Sequence, residues 1–512
     1  MAQTLATPGV YIEEKNAFPN SIVGISTAIP AFIGYTERSV HRGQSLLFKA
    51  KRISSLSEYH NFFGAGFRSS YRIEQIGNSE NEYDFMIEGI GYAISISTTS
   101  RFLFYDAIRL FFANGGGTCY ITTVGNYYNN AEAEQASAKN INSISKKAFE
   151  HAITGLISEE EPTMLIIPEA ILLEEADCYA LQQKMLQHCG SKMKNRFAIL
   201  DVYNGNVSRT YDKQDVITCF REGVGNANLA YGAAYYPYLN ASIVQNEEID
   251  FRNISNRDEL EKLLIIEADA IVDKKKSEDI KTEVRKLSQP NSAVESLNQT
   301  LKIISPAFKN ALAKIKILMN VLPPSAAMAG IYTSIDAERG VWKAPANTSI
   351  LSIIGPTVKI THEDQEDLNL TVTGKSVNAI RSFIGEGTIV WGARTLDGNS
   401  QDWRYINVRR TLIFIEQSIK YSAKPYIYEA NAASTWILIK SMIASFLNDL
   451  WKVGGLVGNN PEDAYSVEVG LGSTMTPSDV LEGIMRISVK VALSRPAEFI
   501  VITFQQKMQE SQ

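Results

Sequence analysis

VLPPSAAMAGIYTSIDAERGVWKAPAN, from Val321 to Asn347, and WGARTLDGNSQDWRYINVRR, from Trp391 to Arg410, are the stretches on which the reading of this chain turns. Pro323-Pro324 ends a helical region before it, because proline cannot donate the helical hydrogen bond. Further on, Trp403, Tyr405, Ile406 and Val408 suit the packed start of a helix over roughly 404–421. Arg404, Arg409 and Arg410 beside them read as partners for carboxylates within or between subunits, ahead of a phosphate or nucleic-acid patch. A second long helix is expected over 431–452, with Trp436, Ile439, Ile443, Leu447 and Leu450 on one face. Such helices need a sheet to cover. Candidate strands lie at 465–469, 484–492 and 498–504, and in the second of these Met485, Ile487, Val489 and Val491 alternate with Arg486, Ser488 and Lys490.

Upstream, 246–319 is charged and helical: Ile280, Val284 and Leu287 recur at helical spacing, and Phe308, Leu312, Ile315, Met319 and Leu322 form a cleaner stripe. It reads as a helical insertion on the outer surface. A helix from Phe149, a strand at 163–167, a helix to His188 and a strand at 197–202 predict an α/β middle domain. Thr118 to Val124 reads as a buried strand after the Gly115-Gly116-Gly117 turn. At the start, Pro8-Gly9 and Phe18-Pro19-Asn20 punctuate short β-branched and aromatic runs, which predicts an extended arm ahead of a strand at 31–35. The expected organisation is an arm and first core strands in 1–35, an outer α/β region in 36–245, the helical insertion in 246–320 and a C-terminal core domain with its own arm in 321–512. The fold class is α+β or α/β, multidomain, with no repeat at a fixed period.

The chain has 512 residues, 45% hydrophobic and 21% charged, enough for several sizeable cores. A net charge of −6 argues against a general nucleic-acid binder, which needs a basic excess to displace counterions from phosphate. Cys119, Cys178, Cys189 and Cys219 are too widely spaced for a zinc site or a disulfide framework and read as buried thiols in a reducing compartment. No secretory signal is recognised, so synthesis in the cytoplasm is expected. Lys440 and Asp449 interrupt the most apolar segment, 432–450, so a core helix is expected there and no membrane insertion.

Motifs that carry chemistry fail in detail. Thr373-Gly374-Lys375-Ser376 resembles the end of a phosphate-binding loop, but Asn369 stands where its first glycine belongs, and 369–372 reads as strand and turn. Gly115-Gly116-Gly117 has Tyr120 in place of the third glycine of a dinucleotide fingerprint and precedes a strand. His362 to Asp367 has Glu366 where a zinc-protease motif needs histidine, so a solvated acidic loop is expected. His41, His60, His151 and His188 share no ligand or triad spacing, and no GxSxG elbow occurs. No catalytic, cofactor-binding or metal-ligating residue is therefore predicted.

The two opening stretches, together with EANAASTW (Glu429 to Trp436), SRPAEFIVITFQQK (Ser494 to Lys507), TPGVYIEE (Thr7 to Glu14) and STAIPAFIGYT (Ser26 to Thr36), resemble the sheath proteins of contractile tails. These belong to bacteriophages, R-type bacteriocins and extracellular contractile injection systems. Weaker echoes lie in FFANGGGTCYITTVG (from Phe111), RFAILDVYNG (from Arg196) and AYGAAYYPYL (from Ala230). The resemblance implies a core domain made from the N-terminal segment and the last third, a mixed sheet under two long helices, with the rest inserted outside it. Trp342, Trp391, Arg394, Trp403, Arg404, Arg409, Arg410 and Trp436 fall in its signature stretches. It further implies strand exchange through arms at Pro8, Gly9, Val10, Tyr11, Ile12 and Glu13, and at Glu498, Phe499, Ile500, Val501, Ile502, Thr503 and Phe504. The implied function is a structural subunit that polymerises helically as a stack of six-fold rings around an inner tube. On triggering, the sheath contracts and drives the tube through a target envelope. Implied partners are further copies, the tube protein, and baseplate and terminal cap proteins, in a phage tail or tail-like particle. The alternatives are a non-contractile filament or surface protein, and an enzyme using the middle domain.

Overall fold

Runs dominated by β-branched, aromatic and small residues, such as PAFIGYT at 30–36 and FAILD at 197–201, form strands buried at every position. The computed structural model describes residues 22–76, 83–96, 101–128, 141–289, 293–370 and 372–499. The chain divides into two units, Ser26–Arg410 and a smaller one that joins the residues up to Ile25 to those from Thr411 onward. Shorter pieces aside, the larger unit begins with β1 (Pro30–Thr36), β2 (Ala50–Ile53), β3 (Tyr71–Ile76), β4 (Phe85–Ile87), β5 (Ile90–Ile96), α1 (Phe104–Ala113) and β6 (Cys119–Asn126). Next come α2 (Lys146–Gly155), β7 (Met164–Ile166), α3 (Glu175–Gln187), β8 (Phe197–Asp201), α4 (Val216–Gly223) and β9 (Gly232–Tyr236). Helices α5 (Arg257–Asp269), α6 (Lys274–Val284), α7 (Val294–Ile304), α8 (Pro306–Met319), α9 (Ser325–Arg339) and α10 (His362–Asn369) follow, then β10 (Asn378–Phe383) and β11 (Gly387–Trp391). The chain leaves this unit within α11 (Ile406–Ala423).

One eight-stranded sheet organises the larger unit, in the order β11-β10-β9-β8-β7-β1-β6-β2. The six central strands are parallel and the two edge strands antiparallel. Alternate residues serve opposite faces. Ala31, Ile33, Leu165 and Leu200 pack with Phe149 of α2 and Leu181 of α3, while Phe32, Met164, Ile166 and Ile199 pack with Phe104 and Phe111 of α1 and Met328 of α9. Two glycines set close approaches. A Cβ on Gly34 would stand 2.1 Å from the Phe104 ring, and one on Gly330 would stand 2.6 Å from the Phe111 carbonyl oxygen. The small residues of SAAMAG thus let α9 lie close against α1.

A separate core joins β3–β5 to α5–α8: Tyr71, Ile73, Phe85 and Tyr92 pack with Leu263, Leu301, Phe308 and Ile315. The helical region of 246–319 is therefore not self-contained. In the smaller unit, α12 (Ala433–Lys452) packs on β12 (Tyr465–Val469), which pairs antiparallel with β13 (Ile487–Val491). Ile439, Ile443, Leu447 and Leu450 form its buried face, with Thr435 and Met442, while Trp436 is half-buried.

Four expectations change. β1 lies at the centre of the eight-stranded sheet and β10 pairs with β9, so the units part at Arg410, whereas the sequence reading put a boundary at 320/321 and grouped 1–35 with the last third. Pro323-Pro324 both follows α8 and opens α9, with Pro324 in the N-cap position. His362 to Asn369 is a helix and not a loop, its first turn closed by a reciprocal Thr361–Asp364 capping box, and Asn369, read as strand, is its last residue. Glu498 and Phe499 are irregular, while 500–504 and the N-terminal arm lie outside the described residues.

Phe308 is fully buried in the third core, so Phe308→Ala is expected to cost about 3–5 kcal/mol in chemical denaturation. Replacing 246–319 by a Gly/Ser linker is expected to uncover β3–β5 and yield dye-binding, aggregating protein. A monodisperse product that binds no hydrophobic dye would show that those strands stand alone.

Candidate functional site

In a doubly wound sheet, ligands enter where the strand order reverses, at the carboxyl ends of the parallel strands. Here that point lies between β1 and β7, because β6 adds on one side of β1 and β7–β10 on the other. The crevice is filled from within. Glu169, in the turn after β7, is fully buried, and one carboxylate oxygen accepts the Tyr35 N–H at the end of β1, 2.8 Å away. Its other oxygen accepts the N–H groups of Leu103 and Phe104, at 3.0 and 3.2 Å, at the start of α1. A helix N-terminus in this position would otherwise receive an anionic ligand. Asp201, at the end of β8, caps α9 in the same way by accepting the N–H and hydroxyl of Ser325. Burial pushes both carboxyls up to about 7, against the pull of these hydrogen bonds.

The motifs rejected in sequence have structural work. The Lys375 ammonium is buried and donates to the Arg221 carbonyl, and Ser376 Oγ donates to the Asn369 carbonyl. Burial lowers the Lys375 pKa. Asp367 of α10 accepts from Arg209 at 2.7 Å and from Arg221 at 2.9 Å; burial alone would raise its pKa, but the two guanidiniums hold it below the usual carboxylate value. His362 is exposed, 3.5 Å from Glu366. His188 is buried with Nε2 3.1 Å from Arg196 Nη1. Arginine only donates, so this nitrogen accepts, consistent with burial bringing the histidine pKa down to about 4. No group of three potential metal ligands occurs among the described residues, and none of the four cysteines is in a disulfide.

Of the eight signature residues, seven fall in the larger unit. The Trp342 carbonyl accepts from Asn407 Nδ2, and the Trp391 carbonyl from Gln365 Nε2, while the Trp391 ring lies 4.9 Å from Phe383. Arg394 is buried and donates from its backbone to Asn378 and from its guanidinium to the Asn369 carbonyl. Arg404 reaches the Gly398 carbonyl, and Arg409 stacks over Trp403 at 3.6 Å and Tyr231 at 4.4 Å. Arg410 forms a buried two-pronged pair with Asp336, the carboxylate pairing read for these arginines. Trp436 lies in the smaller unit and donates to Asn431 Oδ1. The sequence reading did not find Glu169, Asp201 or Asp336, since no spacing marks a carboxylate as turned inward.

The smaller unit contains a two-stranded sheet. β12 and β13 pair with each other, and neither pairs with a third strand among the described residues. Phe499, just before the undescribed end, is 68% exposed.

A family model described as the phage tail sheath protein central domain matches residues 142–396, and one described as the phage tail sheath C-terminal domain matches 399–507. The chain belongs to the phage tail sheath family. The sheath protein of Vibrio phage KVP40 is 25% identical over 223 residues, a stretch spanning 42% of this chain and 31% of that protein. Among solved structures, a chain of the anti-feeding prophage baseplate is 26% identical with a TM-score of 0.59, covering 98% of this chain and 99% of its own. The sheath complex of an extracellular contractile injection system, PVC, in the contracted state, is 26% identical with a TM-score of 0.56, and the match covers 99% of both chains. No described helix is long and apolar enough to cross a membrane.

Glu169 and Asp201 hold protons more tightly folded than unfolded. The stability tied to them is complete below their ordinary range and is lost as pH rises through about 7. The thermal midpoint is expected to fall between about pH 5.5 and pH 8, and the fall to flatten in an E169Q/D201N variant. An unchanged slope in that variant would assign the pH dependence elsewhere.

Proposed function

We propose that this chain is a sheath subunit that polymerises helically around an inner tube in an extended state and contracts to drive the tube through a target envelope. The observation that carries this is the match, over 99% of both chains, to a sheath chain from a contracted injection system. The subunit is structural, and the switch-point crevice filled by Glu169 supports a body built without a ligand there. Its partners are further copies in six-fold rings, the tube protein, the baseplate and a terminal cap.

In this reading the two-stranded sheet β12–β13 is completed by neighbours. Isolated pairs of strands are marginal in water, and open edges accept added strands. Residues Pro8 to Glu13 and Glu498 to Phe504 are the segments we assign to that exchange. Each added strand brings about five backbone hydrogen bonds at roughly 0.5–1.5 kcal/mol net, enough to survive rotation of the bodies they connect. The contact is heterologous, so it propagates helically instead of closing. The core domain faces the tube. The particle is a phage tail or a tail-like device assembled from cytoplasmically made subunits.

Removing residues through Glu14 is expected to leave a folded monomer that forms no sheath in negative-stain micrographs of the coexpressed particle. Sheaths of normal length from that variant would refute arm exchange. Inserting two or three residues in 15–21 adds roughly 7–10 Å of slack at about 3.3 Å per residue. Such particles are expected to assemble extended and to stall in contraction, whereas equal insertions at Asn204-Gly205 contract normally.

A further inference from the structure

The chain passes between its units twice, at Ile25–Ser26 and at Arg410–Thr411. Inside the larger unit, the residues beside these two passages are tied together. The Arg410 guanidinium, 4% exposed, grips Asp336 of α9 with two hydrogen bonds of 2.9 and 2.6 Å and lies 4.7 Å from the Tyr332 ring. It also donates to the carbonyl of Thr27 at 3.0 Å. That same carbonyl accepts the Thr163 hydroxyl at 2.8 Å, next to the start of β7. Thr163 further pairs with Ile29, accepting its N–H on the hydroxyl at 2.9 Å and donating its own N–H to the Ile29 carbonyl at 2.8 Å. A planar fork matches both oxygens of a carboxylate while a remaining N–H reaches a carbonyl; an ammonium has three donors, but all on one atom, and cannot match this spread of acceptors.

We propose that Arg410 and Thr163 form an anchor that fixes the incoming segment at Thr27 to β7 and α9, so that a pull on the residues before Thr27 is delivered to the core of the larger unit. The source of the pull rests on the function proposed above: a neighbour holds the N-terminal arm and contraction loads it. The geometry suits that task. Several hydrogen bonds along 27–29 share the load, and the one from the Arg410 guanidinium is backed by an ion pair buried on both sides. Arg410 and Thr163 are positioning residues here, acting on a backbone carbonyl and not on a ligand.

The test compares full-length wild type, R410K, T163V and the double variant by hydrogen-exchange mass spectrometry, and then by contraction of assembled particles. In the double variant, the amides of 25–29 are expected to exchange at least about tenfold faster while β8 and α9 keep their protection, the mark of a local opening. R410K sheaths are expected to reach normal length, with a smaller fraction contracting than wild type under the same trigger. Unchanged exchange at 25–29, or equal acceleration throughout the unit, overturns the anchor. Faster local exchange with normal contraction overturns its role in transmitting load. Should wild type form no contractile tubes, the functional reading fails by itself, and the exchange data still decide whether the anchor exists.

Discussion

Buried helix N-termini leave backbone N–H groups that must find acceptors, and for α1 and α9 these are two carboxylates, one in the turn after β7 and one at the end of β8. Glu169 serves the end of β1 and the start of α1, and Asp201 serves the start of α9. Helices α1 and α9 pack against each other on one face of the sheet, so both caps serve the same layer. The close approaches at Gly34 and Gly330 lie in this same layer. An arrangement that gives other doubly wound proteins a ligand site is here closed with the chain's own side chains, giving a body suited to moving as a block.

The smaller unit makes the opposite choice. Its helix α12 packs on β12, and the outer edges of the β12–β13 pair meet no further strand among the described residues. In the function proposed above, a closed larger unit and a two-stranded sheet with open edges suit a polymer whose joints are main-chain hydrogen bonds. Such joints depend little on side-chain identity and tolerate rotation of what they connect. The Arg410–Asp336 pair fits this division, because it lies where the chain enters and leaves the closed unit.

Much of the sheet was legible in the sequence, since parallel strands buried on both faces read as unbroken apolar runs, as at 30–36, 119–124 and 197–201. Helix α9 was not, because Ser325 to Tyr332 is buried all round and shows no stripe. The helix α10 was hidden by its composition: HEDQEDLN carries little apolar signal, and it is held by Arg209 and Arg221 from far away in the chain. The boundary at Arg410 depends on β10 reaching β9, a pairing no local pattern announces. Among the site residues, a carboxylate partner for the arginines of WRYINVRR was anticipated, while Asp336 as that partner and Glu169 as a filler of the crevice required the fold.

The most direct test of the account is a cryo-EM reconstruction of the tubular assembly at a resolution that traces strands. The account predicts that β12 and β13 are flanked by strands from neighbouring chains, drawn from Pro8 to Glu13 and Glu498 to Phe504. A hairpin completed by its own chain's ends, or left with solvated edges inside an intact sheath, would contradict it.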